Sequence, residues 1–462
     1  MSATLSRPLP TQPSFGQVVA AHRARGELVV QPRMGFADPD LMRRGLAATR
    51  AANAATVGTI TLDSYTRVGD HRAVRRALAE GADLNGYPIV DQARATTAAM
   101  LEDVRSPGFP VQVRHGSPDP RRIVATMLEC GLTATEGGPI SYCLPYSRMP
   151  LEQSVEYWRQ TCELLAGTRA AGLEPHLETF GGCMMGQLCP PALLIALSVL
   201  EGLFFRQHGI RCISLSYAQQ THQGQDEEAV AALRALAGRY LSDVDTHIVI
   251  YTYMGVYPRT RGGAMQVLAR SARLAAHSGA ERLIVKTTAE AHRIPGVEEN
   301  VTALEYASAA ARGVPRHRET EDTGIHARAR ALIEDVLGLD DDLGRALRAA
   351  FVLGRLDVPF CLHPDNAGRA RGYVDGEGRL QWARIGAMPM HGLVELPAAG
   401  RMSSSDLLRA LNYMQARFDE PHGDEVLEAA QAPAPAVITV RAQASPSDQD
   451  HRFSLQELGS PS

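Results

Sequence analysis

Three arginines follow short apolar runs of the sequence, near the points where those runs end. Arg33 comes after "ELVVQ", Arg67 follows "TVGTITLD" closely, and Arg114 ends "FPVQV" with His115 beside it. A guanidinium group binds a carboxylate through two parallel hydrogen bonds. If the three runs are strands of one parallel sheet, these arginines form a clamp for a substrate with more than one carboxylate.

A glutamate and two tyrosines follow the next apolar run. "LTATEG" contains Glu136, and the segment after it, "GPISYCLPY", contains Tyr142 and Tyr146. A carboxylate beside an arginine clamp suits an ammonium group, so the pattern indicates an amino dicarboxylic acid. Simpler interpretations remain open: each arginine could form an ordinary ion pair, Glu136 could only pair with one of them, and the tyrosines could be packing aromatics.

The elements that must position these residues alternate between strand and helix patterns. The apolar runs are "ELVVQPRM", "TVGTITLD", "DLNGYPIV", "FPVQVRHG", "LTATEG", "PHLETFG", "RCISLSYA", "THIVIYTYM" and "ERLIVKTT". Helical patterns such as "PRRIVATMLECG" and "GGAMQVLARSARLAAHSGA" separate them. Alternation of this kind predicts an α/β fold, a (β/α)8 TIM barrel with its active site at the strand C-terminal ends. The barrel has eight strands, so one of the nine runs is not a barrel strand, and "DLNGYPIV" is the weakest strand candidate.

Changes in pattern divide the chain into four predicted parts. Residues 1–25 are a polar lead-in, and residues 26–315 are the barrel with its substrate and cofactor site. Residues 316–425 are expected to form a helical linker and a small C-terminal α+β domain. Residues 426–462, rich in Ala, Pro, Ser and Gln, are expected to be a flexible tail.

Composition excludes several classes of protein. The chain has 462 residues, of which 45% are hydrophobic, and a net charge of -4, without the basic surface of a nucleic-acid-binding protein. It contains no apolar run of about 18 residues and no apolar leader at its start, which argues against a membrane protein or a secreted one. Seven cysteines without a C-x-x-C pair indicate reduced thiols, so a cytoplasmic location is expected.

The usual catalytic motifs are not found. The sequence has no G-x-S-x-G, H-E-x-x-H, G-x-x-x-x-G-K-[ST] or G-x-G-x-x-G motif. Cys183 and Cys189 lack a histidine companion and the spacing of a zinc site, so buried structural thiols are the better interpretation. An anion clamp without a conventional nucleophile or metal indicates that a cofactor supplies the chemistry.

Seven motifs together resemble a known family. "VQPRMG", "TLDSYTR", "LNGYPIV", "QVRHGSPD", "EGGPISYCLPY", "VKTTAEAHRIP" and "DVPF…NAG" occur in the order of the epsilon, or large, subunit of adenosylcobalamin-dependent glutamate mutase (methylaspartate mutase). The match runs from about residue 27 to about residue 400. The resemblance implies a TIM barrel with a small second domain. It also implies an isomerase that interconverts L-glutamate and (2S,3S)-3-methylaspartate by a radical carbon-skeleton rearrangement.

The resemblance assigns roles to particular residues. Substrate binding is implied for Arg33, Arg67, Arg114, His115, Glu136, Tyr142 and Tyr146. Contact with the adenosylcobalamin cofactor is implied for Gly35, Asn85, Pro145, Tyr257, Lys286, Glu290 and Ile294. Arg114 is thereby expected to face a substrate carboxylate.

A partner subunit is expected as well. Cobalamin enzymes of this kind carry D-x-H-x-x-G, whose histidine ligates cobalt, and the nearest match, Asp245-Thr-His247, lacks the glycine and lies in a strand pattern. We therefore expect no metal ligand in this chain. The cofactor would be held with a separate small cobalamin-binding subunit that carries the motif, in a heterotetramer of two large and two small subunits.

The sequence departs from the family pattern at several points. Pro139 interrupts a glycine run, Ser216-Tyr217-Ala218 replaces Gly-Tyr-Gly, "YTYMGVYP" replaces "HQWMGGFP", and "HPDNAG" replaces "SKYNAG". Two other functions stay open: a barrel lyase or aldolase with Lys286 as a Schiff-base lysine, and a non-catalytic relative that binds the small subunit.

Overall fold

A nearly closed barrel of eight parallel strands forms the centre of the molecule. The computed structural model describes residues 13–184, 188–316, 320–397 and 402–420. The strands are β1 Val29–Gln31, β2 Gly58–Thr61, β3 Val111–Arg114, β4 Ala134–Gly137, β5 His176–Thr179, β6 Cys212–Ala218, β7 Asp245–Tyr251 and β8 Arg282–Ile284. Their order is β1-β8-β7-β6-β5-β4-β3-β2. Between β1 and β2 the barrel is bridged by two hydrogen bonds of 2.8 Å, from Val30 N on β1 to Ala55 O before β2 and from Thr61 N on β2 to Met34 O after β1. The predicted TIM barrel is confirmed.

Helices surround this barrel and continue into the C-terminal region. They are α1 Phe15–Ala24, α2 Pro39–Ala51, α3 Ser64–Val68, α4 His71–Glu80, α5 Arg94–Glu102, α6 Arg121–Glu129, α7 Leu151–Ala166, α8 Pro191–Gln207, α9 Gln223–Tyr240, α10 Arg261–His277, α11 Val297–Ala311, α12 Ile325–Leu337, α13 Leu343–Leu353, α14 Ser404–Leu411 and α15 Tyr413–Asp419. Helix α8 is buried on nearly all sides because α9, α12 and α13 cover its outer face, which explains its continuously apolar sequence.

The apolar run "DLNGYPIV", which is the extra one of the nine, is wrong as a strand. It forms a loop that lies against the end of β2, where the backbone N–H of Tyr87 donates to Thr61 O over 2.9 Å. Gly86 lies so close to the backbone of Leu62 and Asp63 that a Cβ there would collide with it. The run is therefore apolar because the loop is buried in the barrel wall.

An aromatic ring closes the N-terminal end of the barrel, and a buried ion pair lies above it in the barrel interior. Phe15, the first residue of α1, stacks on His176 with ring centroids 4.6 Å apart. Above it, the fully buried Arg282 binds Glu178 and donates to Ser214 Oγ over 3.0 Å. The Arg282 guanidinium also lies 4.9 Å from the centroid of the Phe15 ring. The described part of the predicted lead-in is thus a helix packed on the barrel.

The C-terminal region packs on the outside of the barrel. An antiparallel hairpin of β9 Arg371–Val374 and β10 Leu380–Arg384 follows α13. Gln225 on α9 accepts from Leu380 N over 2.8 Å and donates to Leu380 O over 3.0 Å, which fastens the hairpin. The division into domains at residues 315 and 425 stays a prediction, and the tail at 426–462 lies outside the described residues.

The composition predicted reduced, buried cysteines and no membrane-spanning segment. All seven cysteines are unpaired and buried, Cys183 and Cys189 among them, as the sequence indicated. Within the described ranges, every helix is too short or too polar to cross a bilayer.

Candidate functional site

The predicted site residues lie around the C-terminal ends of the strands. Arg33 follows β1, Arg67 lies on α3 after β2, Arg114 ends β3, Glu136 lies on β4, and Lys286 follows β8. Because the strands are parallel, their C-terminal ends meet at one face of the barrel, which is where TIM barrels hold their active sites.

Glu136 is the centre of a buried hydrogen-bond network. Arg114 Nε donates to Glu136 Oε2 over 2.6 Å, and the Tyr142 hydroxyl donates to Glu136 Oε1. Arg114 and Glu136 are 5% and 2% exposed, so both charges are removed from water and depend on each other. Glu136 therefore pairs with Arg114 in this structure, and its binding of a ligand ammonium group stays a prediction.

Tyr251 and Glu178 extend this network, and the sequence patterns did not single them out. Tyr251 ends β7, and its hydroxyl lies 2.8 Å from Glu136 Oε2, is hydrogen-bonded to Glu178 Oε1 and lies 3.4 Å from Arg114 Nη2. Burial raises the pKa of Glu178, but Arg282, Tyr251 and Arg114 outweigh it and hold the pKa below its usual value. Both residues stand at strand C-terminal ends in "PHLETFG" and "THIVIYTYM", so the reasoning that found Arg114 would have found them.

His115 offers an unused hydrogen-bond donor beside this network. Burial lowers its pKa to about 3, so the ring is neutral near neutral pH. Its Nδ1 accepts from Ser117 N over 3.0 Å, which leaves the proton on Nε2. Among the described residues that Nε2 is buried without a partner at ordinary hydrogen-bond geometry, although the backbone of Glu136 lies close enough to the ring to oppose the lowering of its pKa. A buried, unpaired donor is unfavourable by itself and suits an acceptor atom of a ligand.

A second charged cluster joins Arg33 to the predicted cofactor residues. Arg33 Nη1 lies 3.1 Å from Glu290 Oε2, and Lys286 Nζ lies 3.8 Å from the same oxygen. The Lys286 ammonium also sits 4.3 Å from the ring centroid of Tyr257. Burial lowers the pKa of Lys286 to about 8, although Glu290 opposes that shift.

Arg67 and Tyr146 lie nearer the rim. The side chain of Arg67 packs on Gly116, and it has no hydrogen bond or ion pair with another described residue. Tyr146 is 42% exposed, with its ring centroid 6.1 Å from that of Tyr142. Desolvation of its hydroxyl raises the pKa of Tyr146, and the positive charges of Arg33 and Arg67 act in the opposite direction. Both arginines are therefore within electrostatic reach of this tyrosine.

The remaining predicted cofactor residues have ordinary structural contacts. Gly35 is buried where a Cβ would collide with the carbonyl of Thr61. Asn85 is exposed, and its Oδ1 accepts from Ser64 N over 2.9 Å at the start of α3. Pro145 is half-buried beside Tyr146, and Ile294 is 54% exposed on the loop after β8. These contacts neither require nor exclude a ligand.

His247 is a strand residue, as the sequence indicated. It lies within β7 at the opposite end of the barrel from the arginine clamp, and its ring stacks on His176 with centroids 5.2 Å apart. Burial, with Arg282 close by, holds the pKa of His247 well below its usual value.

Glu201 on α8 fixes the loop after β4, which carries Tyr142 and Tyr146, to the loop after β5, and its role was also missed. Its carboxylate accepts from Ser141 N over 2.9 Å, Gly181 N over 2.8 Å and Ser141 Oγ over 3.1 Å, and more weakly from the N–H groups of Ile140 and Phe180. A Cβ at Gly138 would collide with this carboxylate, which explains why the chain has glycine there. Burial raises the pKa of Glu201 to about 7.

Replacing Glu201 with glutamine should destabilise these loops. The amide NH2 of glutamine faces backbone N–H donors, so at least one buried donor loses its acceptor, at a cost of about 1–3 kcal/mol. Urea unfolding at about pH 8, where the native carboxylate is ionised, measures the change. Glu163→Gln on α7, whose side chain is 50% exposed, is the control, and an equal effect of both variants would contradict this role.

The fold and this region define a TIM-barrel protein with three arginines and a buried carboxylate network at the C-terminal ends of its strands. Its sequence matches the methylaspartate mutase E chain family over residues 9–404, and the chain belongs to that family. The resemblance predicted from the motifs is therefore confirmed.

Curated relatives are similar along most of the chain. The glutamate mutase epsilon subunit of Halobacterium salinarum is 32% identical over 396 residues, covering 83% of this chain and 82% of its own. That of Desulfitobacterium hafniense is 31% identical, with 82% of each chain covered. Among solved structures, a truncated 3-deoxy-D-arabino-heptulosonate 7-phosphate synthase from Thermotoga maritima shares 11% identity at TM-score 0.35, over 63% of this chain and 89% of its own.

Proposed function

We propose that this chain is the large subunit of a glutamate mutase, which interconverts L-glutamate and (2S,3S)-3-methylaspartate. The observation that carries the proposal is the set of groups at the C-terminal ends of the strands: Arg33, Arg67 and Glu136 all act on the Tyr146 hydroxyl, and Arg114, His115 and Glu136 lie together beside Tyr142. This set complements two carboxylates and one ammonium group.

In this proposal each group has a defined task. Arg67, which has no ion-pair partner among the described residues, and Arg33 bind one substrate carboxylate. Arg114 and the Nε2–H of His115 bind the other carboxylate, and Glu136 accepts from the ammonium group. Buried charge-assisted hydrogen bonds of this kind hold a small substrate in one orientation and exclude water, which a reaction with reactive intermediates requires.

The residues at the mouth are compatible with adenosylcobalamin. Lys286 and Glu290 supply a donor and an acceptor suited to ribose hydroxyls, and the exposed Ile294 and half-buried Pro145 supply apolar surface. When bound, the cofactor supplies the hydrogen-abstracting radical. In this chain, Lys286, Glu290 and Tyr257 would hold its adenosyl part beside the substrate, and a small subunit would hold the remainder.

This dependence on a partner gives a direct test. The purified chain alone is expected to form no methylaspartate from L-glutamate and adenosylcobalamin, whereas addition of the small cobalamin-binding subunit should start turnover. The assay measures methylaspartate directly. Robust turnover by the single chain, or none with any candidate small subunit that binds it, would contradict the proposal.

One observation favours the alternative of a Schiff-base lyase or aldolase. Lys286 is buried and its pKa is lowered to about 8, which leaves part of it unprotonated near neutral pH, as a nucleophilic lysine needs. Its contacts with Glu290 and the Tyr257 ring favour the charged form instead. Borohydride trapping of an anionic carbonyl substrate on Lys286 would establish the alternative.

A further inference from the structure

Two carboxylates face each other across strands inside the barrel. Glu136 on β4 and Glu178 on β5 are register partners of adjacent parallel strands, so their side chains point to the same face. Both are buried, at 2% and 0% exposure. Two buried carboxylates this close repel each other unless donors separate them.

The Tyr251 hydroxyl lies between these carboxylates. It contacts Glu136 Oε2 at 2.8 Å and Glu178 Oε1 more closely, while Arg114 Nη2 approaches its oxygen to 3.4 Å. A phenol has one proton and can donate to only one carboxylate at a time. Tyr251 therefore has two alternative hydrogen bonds.

Glu136 and Glu178 differ in the hydrogen-bond donors that remain to them when Tyr251 is left out. Glu136 keeps donors on both oxygens, from Tyr142 and from Arg114 Nε. The other donors to Glu178 all reach Oε2, and within the described residues its Oε1 has only Tyr251. The Tyr251 proton can thus turn to Glu178 and leave one acceptor site on Glu136 open, which is what an arriving ammonium group needs.

We propose that Tyr251 is a positioning residue that makes the site select ligands bearing an ammonium group. Its proton turns to Glu178 when an ammonium binds Glu136, and in the absence of ligand its hydroxyl separates the two carboxylates. The inference rests on the proposed function only in taking an amino dicarboxylic acid as the ligand.

The surroundings of the hydroxyl support this role. The titratable or charged groups that face it are Arg114 on β3, Glu136 on β4, Glu178 on β5, and Cys183 after β5. Burial keeps the pKa of Tyr251 well above its usual value, so the phenol stays a donor at all working pH values. Without its hydroxyl, the pKa of Glu178 must rise, because its Oε1 loses its donor while the like charge of Glu136 stays close. A protonated Glu178 then donates to Glu136 and occupies the acceptor site that the ammonium group needs.

The test compares L-glutamate with glutarate, which has the same two carboxylates but no amino group. Binding of each to the full-length chain is measured by calorimetry at about pH 6 and about pH 8.5, with and without the small subunit and adenosylcobalamin. Tyr251→Phe is expected to reduce the preference for L-glutamate over glutarate at least about tenfold at the lower pH, with partial recovery at the higher pH. Affinity for glutarate should change less than about twofold.

The control is Tyr253→Phe, the same change two residues away. The Tyr253 hydroxyl is buried without a partner among the described residues, so its removal should leave the preference intact. The inference is overturned if the wild-type chain shows no preference for L-glutamate or if the Tyr251→Phe variant keeps that preference. It is also overturned if this variant loses affinity for L-glutamate and glutarate equally. A preference that depends on Tyr251 without any mutase turnover would instead remove the proposed reaction and keep the inference.

Discussion

Replacing Arg282 with methionine is expected to lower the free energy of unfolding by about 3–5 kcal/mol, because it leaves a buried carboxylate without its partner. Arg282 and Glu178 are both fully buried, and the guanidinium also binds Gln31 and Ser214 inside the barrel. Methionine fills much of the same volume, so the loss arises mainly from the charge that remains.

Equilibrium unfolding in urea measures this change in the free energy of unfolding, and two further variants serve as controls. Arg159→Met removes an arginine from the surface pairs with Glu156 and Glu163, where a loss below about 1 kcal/mol is expected. The double variant Arg282→Met with Glu178→Leu removes both charges and should recover part of the stability. An Arg282→Met variant as stable as Arg159→Met would show that Glu178 does not need this partner.

Much of the barrel could be predicted from the sequence, because its strands are short apolar runs that end in polar residues. Periodicity located all eight barrel strands, and the strand ends located Arg33, Arg114 and Glu136. The loop containing Tyr87 was mistaken for a strand, since burial against β2 gives a loop the same apolar composition as a strand. An apolar composition shows that a segment is buried, but it does not distinguish a buried loop from a buried strand.

The contacts inside the barrel could not be predicted in the same way. Arg282 is 104 residues from Glu178 along the chain, and only the strand order and register bring them together. Glu201 likewise lies on a mostly apolar helix, and its function depends on loops 20 and 60 residues away. Strand-end reasoning finds residues at the mouth, but it does not reveal which of them are paired with each other.

That pairing changes the interpretation of Arg114. Its guanidinium is held by Glu136 and Tyr251, at 5% exposure, so it reaches a substrate carboxylate only with the donors that these contacts leave free. Nη1 is such a donor, since its hydrogen bonds to described residues are made through Nε and Nη2. Arg114 thus joins the proposed carboxylate site to the ammonium site.

Arg114→Lys is therefore expected to raise KM and lower kcat together in the reconstituted complex. Lysine keeps the charge but loses the planar fork, so it cannot bind Glu136, Tyr251 and a substrate carboxylate in one fixed geometry. Each charge-assisted hydrogen bond contributes about 1.5–3 kcal/mol, and loss of one lowers kcat/KM by about tenfold or more. Steady-state kinetics with L-glutamate measure both parameters.

A melting curve and a matched arginine separate this effect from loss of structure. Arg121→Lys on α6 makes the same change in a half-exposed fork on Asp119, so its kinetics should stay within about twofold of wild type. Near-wild-type kinetics for Arg114→Lys would remove Arg114 from substrate binding. A large fall in melting temperature without substrate, together with normal KM in the folded fraction, would assign it to holding Glu136 in place. A rise in KM and a fall in kcat with little change in melting temperature is the result that the free Nη1 predicts, because the lysine ammonium can still neutralise Glu136 while it no longer reaches the substrate.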